Sequence, residues 1–374
     1  MEDDSSPELV KLIVEEIRKK GPISFRDFMA MSLYDPILGY YASYRAKIGR
    51  EGDYYTAPHL TPVFGAMIGK QILEIRRLLG DEGFIIVEMG GGKGILSSDI
   101  LDFIKREDST FYDRVQYHII ETNPRLKEKE FGTLNGNRVI WHNNLDGLQP
   151  GIKGVFISNE LVDSFPVHQV IMEDNRLREV FVDWVDGRFV EVIKDPSTDS
   201  LEYYFKEMGI DLAEGYRTEA NLDALKWLER VGGFLDKGFV ITIDYGYLSD
   251  ELYQSYRSRG TLLCYYRHTT CEDPYTRIGY QDITSHVNFS ALIHWGKKKG
   301  LEFTGFTNQT NFLINIGVED YIRDIAKEST DYRDYMKRML PIKNLMMPAM
   351  GETFKVLIQH KGIKSPSLRG LTSP

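Results

Sequence analysis

Phe84-Ile85-Ile86-Val87-Glu88-Met89-Gly90-Gly91-Gly92-Lys93-Gly94 is the stretch that decides the fold. Four apolar residues and an acid read as a buried strand, the glycines as a tight turn, and Ile95, Ile100, Leu101 and Ile104 as one face of a following helix. Strand, glycine turn and helix open several kinds of nucleotide-type site, and spacing separates them. A GxxxxGK[ST] phosphate loop fails, because Val87 stands at its first glycine and Gly94 where Ser or Thr should follow Lys93. A GxGxxG dinucleotide turn fails too, since Ile95 occupies the third glycine counted from Gly90 and Gly92. What remains is Glu88-x-Gly90-x-Gly92-x-Gly94, an acid closing the strand and glycines at alternate positions.

Outward from this turn, strands and helices alternate. A helix near Phe64 to Leu79 precedes it; a strand Val115 to Glu121, a charged helix near Pro124 to Phe131, a strand ending near Trp141 and the strand Val155 to Asn159 follow it. That alternation predicts an α/β doubly wound, Rossmann-like parallel sheet. After Pro166 short runs separated by Asp, Asn and Gly (Val167–Met172, Arg178–Trp184, Phe189–Ile193) predict an inserted β-meander. The α/β pattern resumes with a helix near Asn221 to Leu235 and the strand Gly238 to Asp244. A polar, aromatic segment over 261–285 leads to a helix near Phe289 to Lys299. Strands near Leu301 to Phe306 and Phe354 to His360 flank a helical insertion, the last pairing antiparallel at the sheet edge. At the start, Ser6-Pro7 and Ser24 cap two helices, and 34–65 reads as ordered, function-bearing coil. The expected segments are a helical and lid region over 1–63, the first half of the α/β domain over 64–166, the meander over 167–220, the second half over 221–361 and a loose tail over 362–374.

Composition narrows the function. With 42% hydrophobic and 27% charged residues over 374 positions the chain folds rather than staying disordered. Its net charge of -9 offers no general attraction to nucleic acid but suits a basic protein substrate. Two cysteines, Cys264 and Cys271, lack metal-site spacing, so no metal is expected and both read as small hydrophobes. The longest stretches free of Asp, Glu, Lys and Arg, Tyr54–Gly69 and Phe303–Val318, are sixteen residues each and interrupted by polar groups, too short to span a bilayer. Met1-Glu2-Asp3-Asp4 has the wrong charge for a signal or transit peptide, so the expected location is the cytoplasm, or the mitochondrial matrix if a presequence has been removed. The many tyrosines leave room for a homodimer contact, which nothing in the sequence locates.

The acid-flanked glycine turn is the pattern of class I S-adenosylmethionine (SAM) methyltransferases. The methionyl end of SAM carries an ammonium and a carboxylate but no phosphate, so its turn needs close backbone approach, free amides and a nearby acid. Glu88 supplies the acid for the ammonium, directly or through water, while Gly90, Gly91, Gly92 and Gly94 make the turn. Glu121, closing the next strand, suits two ribose hydroxyls. In the bland reading the glycines only turn the chain and Glu121 caps a helix. By fold position, Asn143, Asn144 and Leu145 fall at the adenine edge; Asn159 joins the cofactor set, and Tyr54, Tyr55 and Thr56 either form a lid or simply pack.

Further stretches extend the likeness. Ser32-Leu33-Tyr34-Asp35-Pro36 with Gly39-Tyr40-Tyr41, Gly52-Asp53-Tyr54-Tyr55-Thr56-Ala57-Pro58, Glu88 to Gly94, Ser158 to His168 and Gln281 to Phe289 together cover most of 30–310, and in them the chain resembles the MidA-type methyltransferases. The resemblance implies a SAM-dependent protein arginine methyltransferase whose protein substrate is a respiratory complex I-type subunit. The chain departs from the family at Gly91, where proline is common, and at Asn288, where aspartate is usual.

An arginine acceptor sets the rest of the chemistry. A guanidinium stays protonated, so carboxylates must grip it, localise its charge and help remove a proton. Glu160 and Asp163, after the fourth strand, are the leading catalytic residues; in a helical turn they would share one face. Alternatively Asp163 caps a helix and Glu160 alone faces the site. Asp244 ends the fifth strand at the same edge, as a pocket residue or a turn residue. His286 is either a proton acceptor or a helix cap. Other readings of the same residues are a methyltransferase of a small amine or hydroxyl compound and a non-catalytic assembly chaperone.

Overall fold

A computed structural model describes residues 5–42, 52–53, 56–80, 82–123 and 139–372. The expected helix near Pro124 to Phe131 and the lid residues Tyr54 and Tyr55 lie outside the described residues. The chain divides into two compact units, one built from Met1–Tyr54, Val162–Trp227 and Tyr247–His294, the other from Tyr55–Leu161, Leu228–Gly246 and Trp295–Pro374.

The second unit holds the sheet that the glycine turn predicts. Seven strands lie side by side: β1 (Phe84–Met89), β2 (Gln116–Ile120), β3 (Val139–His142), β4 (Ile152–Asn159), β5 (Leu235–Tyr247), β6 (Glu302–Asn308) and β7 (Phe354–Lys361). Their order is β3-β2-β1-β4-β5-β7-β6. The first five run parallel, and β7 runs antiparallel to both its neighbours. The last strand is therefore internal rather than at the edge. β6 takes the edge instead, because the helical insertion between them returns the chain far enough for β7 to reach the free side of β5.

The strands inside the sheet, such as β1, β4 and β5, are largely apolar because both their faces are covered. The helices Pro62–Leu79 and Ile95–Glu107 bring Phe64, Ile68, Ile72, Ile100 and Ile104 into the same buried cluster as Ile86, Ile157 and Ile241 of the sheet. Full burial of such a side chain stabilises by about 1.5–3 kcal/mol. The expected loose tail is also ordered through residue 372. Leu368 is buried in this core and the Arg369 amide donates to the Glu74 carboxylate at 3.1 Å, so an apolar anchor fixes the end.

Where β1, β4 and β5 run side by side, two glycines have positive φ, Gly154 at 152° and Gly238 at 150°, so an added Cβ would point at the neighbouring strand. Gly154 pairs with Ile85 on one side and Gly238 on the other. A Cβ on Gly154 would stand 1.9 Å from the Ile85 carbonyl oxygen, and one on Gly238 the same distance from that of Gly154.

In the first unit, the helices Pro7–Lys20 and Phe25–Tyr34 begin where Ser6 and Ser24 accept from the Leu9 and Asp27 amides. The meander forms as expected. Arg176–Val185 is paired by Arg188–Lys194 along one side and by His168–Glu173 and Ile23–Ser24 along the other, and Arg217–Ala220 joins His168–Glu173. The polar 261–285 segment, which periodicity leaves without structure, forms a small sheet in which Leu263–Tyr266 lies between Thr269–Cys271 and Asp282–Thr284. The tyrosines of the first quoted motif are tethers. Tyr34 donates to the Ser164 carbonyl at 3.0 Å, Tyr40 to Asp53 and Tyr41 to Asp282, both at 2.8 Å. Asp53 in turn accepts the Arg267 amide at 2.7 Å.

Gly154→Ala should force β1 and β4 apart and cost roughly 3 kcal/mol of stability. A urea titration of the variant against the parent checks this, with the midpoint expected to fall.

Candidate cofactor and active site

The sheet order reverses between β1 and β4, and in open α/β sheets ligands bind beyond the carboxyl ends of the strands at such a point. The glycine turn leaves β1 there. Gly90, Gly92 and Gly94 all have positive φ, at 70°, 53° and 71°, a region that only glycine enters without strain. Gly91 is held for a different reason, because a Cβ there would meet Ile119 at 2.6 Å. Above Gly92 the space is open among the described residues, with no atom beyond its chain neighbours within 4 Å of an added Cβ. Gly94 provides no side-chain cap to the helix that follows, Ile95–Glu107, so amides of its first turn keep donor capacity. The turn thus combines room for a ligand with free donors.

Two acids flank it. Glu88 is almost fully buried and accepts the Tyr117 hydroxyl at 2.8 Å. Burial pushes its carboxyl up to about 8, against the pull of that hydrogen bond, and the nearby Glu121 adds to the rise. Glu121 follows β2 and accepts the Gly92 amide on one oxygen at 3.0 Å and the Asn123 amide on the other at 2.9 Å. Tyr117, one strand over from Glu88, is the partner that sequence reading missed; its strand position gave no sign that its hydroxyl would be aimed at an acid.

Beyond β4 the structure corrects the expected helical turn over 160–163. Glu160 has φ of 51°, left-handed and incompatible with a helix, so Glu160 and Asp163 do not share a helical face. The strain is held from two sides. The Glu160 amide donates to the Ile243 carbonyl at 3.0 Å, and the next amide, Leu161, donates to Asp244 at 3.2 Å. Asp244 is fully buried and its other oxygen accepts the Tyr245 amide at 2.9 Å, so of its two readings the geometry gives the turn-building one. The Glu160 carboxylate accepts from Asn159 Nδ2 at 3.2 Å and the Ala57 amide at 3.3 Å. Thr56, just before, shares a 2.6 Å hydrogen bond with His59.

The remaining residues divide as follows. Leu145 is buried in the second unit, and the Asn144 side-chain oxygen accepts the Asp146 amide at 2.9 Å, capping a short 3-10 turn. Asp163 and His286 belong to the first unit, where the Asp163 carbonyl accepts the Ser285 amide at 3.0 Å and the His286 ring lies 5.2 Å from that of Tyr247. Asn288 serves as a cap and a bridge. Its oxygen accepts the Ala291 amide at 3.1 Å, and its Nδ2 donates to the hydroxyls of Tyr204 at 2.9 Å and Tyr253 at 3.4 Å. Among the described residues no group of three or more His, Cys, Asp or Glu side chains could hold a metal ion, and no helix is long and apolar enough to cross a membrane.

A parallel sheet whose order reverses beside an acid-flanked glycine turn of this kind defines the class I SAM-dependent methyltransferases. Residues 67–307 match the family described as "Putative S-adenosyl-L-methionine-dependent methyltransferase", and the chain belongs to that family. A solved structure from Burkholderia thailandensis, bound to S-adenosyl-homocysteine, is similar over 97% of this chain and 94% of its own, with 31% identity and a TM-score of 0.88. Two proteins named as mitochondrial protein arginine methyltransferase NDUFAF7, or its homolog, are similar across nearly the whole length. The Caenorhabditis elegans protein is 25% identical over 94% of this chain and 87% of its own, and the human protein 24% identical over 95% and 84%. The protein is a SAM-dependent enzyme on the MidA-type pattern.

The raised Glu88 carboxyl gives a pH signature. A protonated folded-state Glu88 faces an ionised one in the unfolded chain between its ordinary value of 4.5 and about 8, so ligand-free stability should fall as pH rises through that window. Thermal midpoints across it are expected to decline for the parent and to decline less for Glu88→Gln.

Proposed function

We propose that the enzyme transfers the methyl group of SAM to an arginine side chain of a protein substrate, with Glu160 as the acceptor-side acid. The observation that carries the reading is the strained Glu160, held with its carboxylate at the carboxyl end of β4, beside the sheet's reversal point. Strain of this kind, of order 1–3 kcal/mol, persists where surrounding structure fixes it and clusters at functional sites. The names of the relatives favour arginine over a small amine or hydroxyl acceptor.

In this reading SAM supplies an electrophilic methyl on sulfonium. Glu88 faces its ammonium, the Glu121 carboxylate takes the ribose hydroxyls, the turn over Gly90, Gly91, Gly92 and Gly94 gives it room, and amides of the first turn of Ile95–Glu107 receive its carboxylate. Leu145 and Asn144 stand at the adenine edge, with Asn159 and Thr56 completing the cofactor set. A guanidinium nitrogen displaces the sulfide in line, the C–S electron pair stays on sulfur, and the product guanidinium loses a proton. Glu160 grips the guanidinium, localises its charge and leads the proton away; Asp163 and His286 are the further groups proposed for the acceptor side. Orientation supplies most of the acceleration, up to about 7–11 kcal/mol in favourable intramolecular cases. The relatives' mitochondrial names support a matrix location, and the family resemblance supports a complex I-type subunit as substrate.

Glu160→Gln is expected to keep SAM binding by calorimetry and to lower S-adenosylhomocysteine formation on an arginine-bearing partner by about 10²–10⁴-fold. Unchanged turnover removes Glu160 from the mechanism. Gly92→Arg, which fills the open space above the turn, should abolish SAM binding in a folded protein. A parent protein that binds its partner without forming S-adenosylhomocysteine would point to an assembly chaperone instead.

A further inference from the structure

The helical insertion between β6 and β7 contains the helix Tyr332–Met346, one face of which is anchored in the core. Ile342 and Leu345 are buried there, with Tyr335, Met339 and Met346 packed against the same cluster. Thr310 and Gln309 hold its last turn through the Met346 and Leu345 carbonyls, at 3.0 and 2.9 Å. The opposite face is the unusual one. Tyr332 is 76% exposed, Met336 40%, Leu340 52% and Met347, just past the last turn, 47%. These are four of the thirteen large hydrophobic side chains found exposed among the described residues, gathered within sixteen positions. Tyr332, Met336 and Leu340 recur every four residues, so they form one stripe.

Charge on that face has one sign. Arg333, Lys337 and Lys343 are exposed beside the stripe, and no ion pair involving them occurs among the described residues. The other cation of the helix, Arg338, pairs with Glu328 at 2.8 Å. Asp334, the only acid within Tyr332–Met346, is half-buried and receives the Thr330 amide at 3.3 Å. In a chain of net charge -9, a long-side-chain apolar stripe flanked by three unpaired cations is a local exception.

We propose that this face docks the enzyme peripherally on an anionic lipid surface. The pattern fits an interfacial helix, whose apolar side chains enter the headgroup region while Lys and Arg reach anionic headgroups, and whose Tyr sits at the boundary. A second copy of the chain fits less well. A self-complementary contact would set the same cations against each other with no acid on the face to answer them. The surface does not depend on the acceptor assignment and stands or falls separately from it.

Co-sedimentation of the full chain with vesicles tests the proposal. Vesicles of phosphatidylcholine with about one-third phosphatidylglycerol should retain the protein, pure phosphatidylcholine vesicles should retain much less, and raised salt should release it. Met336→Glu with Leu340→Glu should lower binding to the anionic vesicles by about tenfold or more, and so should Lys337→Glu with Lys343→Glu. Both variants should keep the parent's thermal midpoint, since the four side chains face solvent; variants altered at Met336 and Lys337 alone serve if a double variant fails to fold. Equal binding to neutral and anionic vesicles overturns the proposal, as does full binding by the folded variants. Absence of vesicle binding, together with light scattering that shows self-association lost in the Leu340 variant, overturns it in favour of a second copy.

Discussion

Carboxylates buried at one end of a parallel sheet are the constraint on which this structure turns. An ionised acid taken out of water without partners is strongly unfavourable, and each of these is answered locally. Glu121 receives the Gly92 and Asn123 amides, Asp244 the Leu161 and Tyr245 amides, and Glu88 the Tyr117 hydroxyl. The partners of Glu121 and Asp244 are backbone groups, and those of Gly92, Asn123 and Leu161 belong to the loops that leave the strands. Satisfying the acids therefore fixes those loops, and the glycine turn and the Glu160 bend are consequences of the same requirement.

The acids do different work because their surroundings differ. Glu88, with a phenol for company and burial on all sides, is held near neutrality at physiological pH. Asp244 has both oxygens engaged by adjacent amides and acts as a scaffold for the bend beside it. Glu160, half-exposed and touched by Asn159 and Ala57, keeps access to a ligand. One fold edge thus holds three acids whose surroundings set them apart.

How much of this was legible depends on whether the signal was local. The turn over Gly90–Gly94 was readable because positive φ selects glycine, and the inner strands were readable because burial on both faces makes them largely apolar. The caps at Ser6 and Ser24 were readable for the same reason: the chemistry lies within three residues. The helical turn expected over 160–163 failed because the conformation of Glu160 is imposed from β5, more than eighty positions away, by Ile243 and Asp244. The place of β7 inside the sheet, the small sheet within 261–285 and the docking of Leu368 are likewise decided by distant partners. Tyr34, Tyr40 and Tyr41 stood out in the sequence as a motif, yet only the tertiary structure gives each hydroxyl its acceptor.

The interleaving of the two units has a consequence for how the chain is made. The polypeptide passes from one unit to the other five times, and each unit is assembled from three separated segments. Neither can be completed by a growing chain until late: the first waits for residues near 294 and the second for β7, which lies between β5 and the edge strand β6 and emerges last. The early helices and β1 to β4 must therefore wait with apolar surface uncovered during synthesis, the circumstance in which nascent chains come to rely on chaperones. For the same reason no single cut in the chain separates one unit from the other.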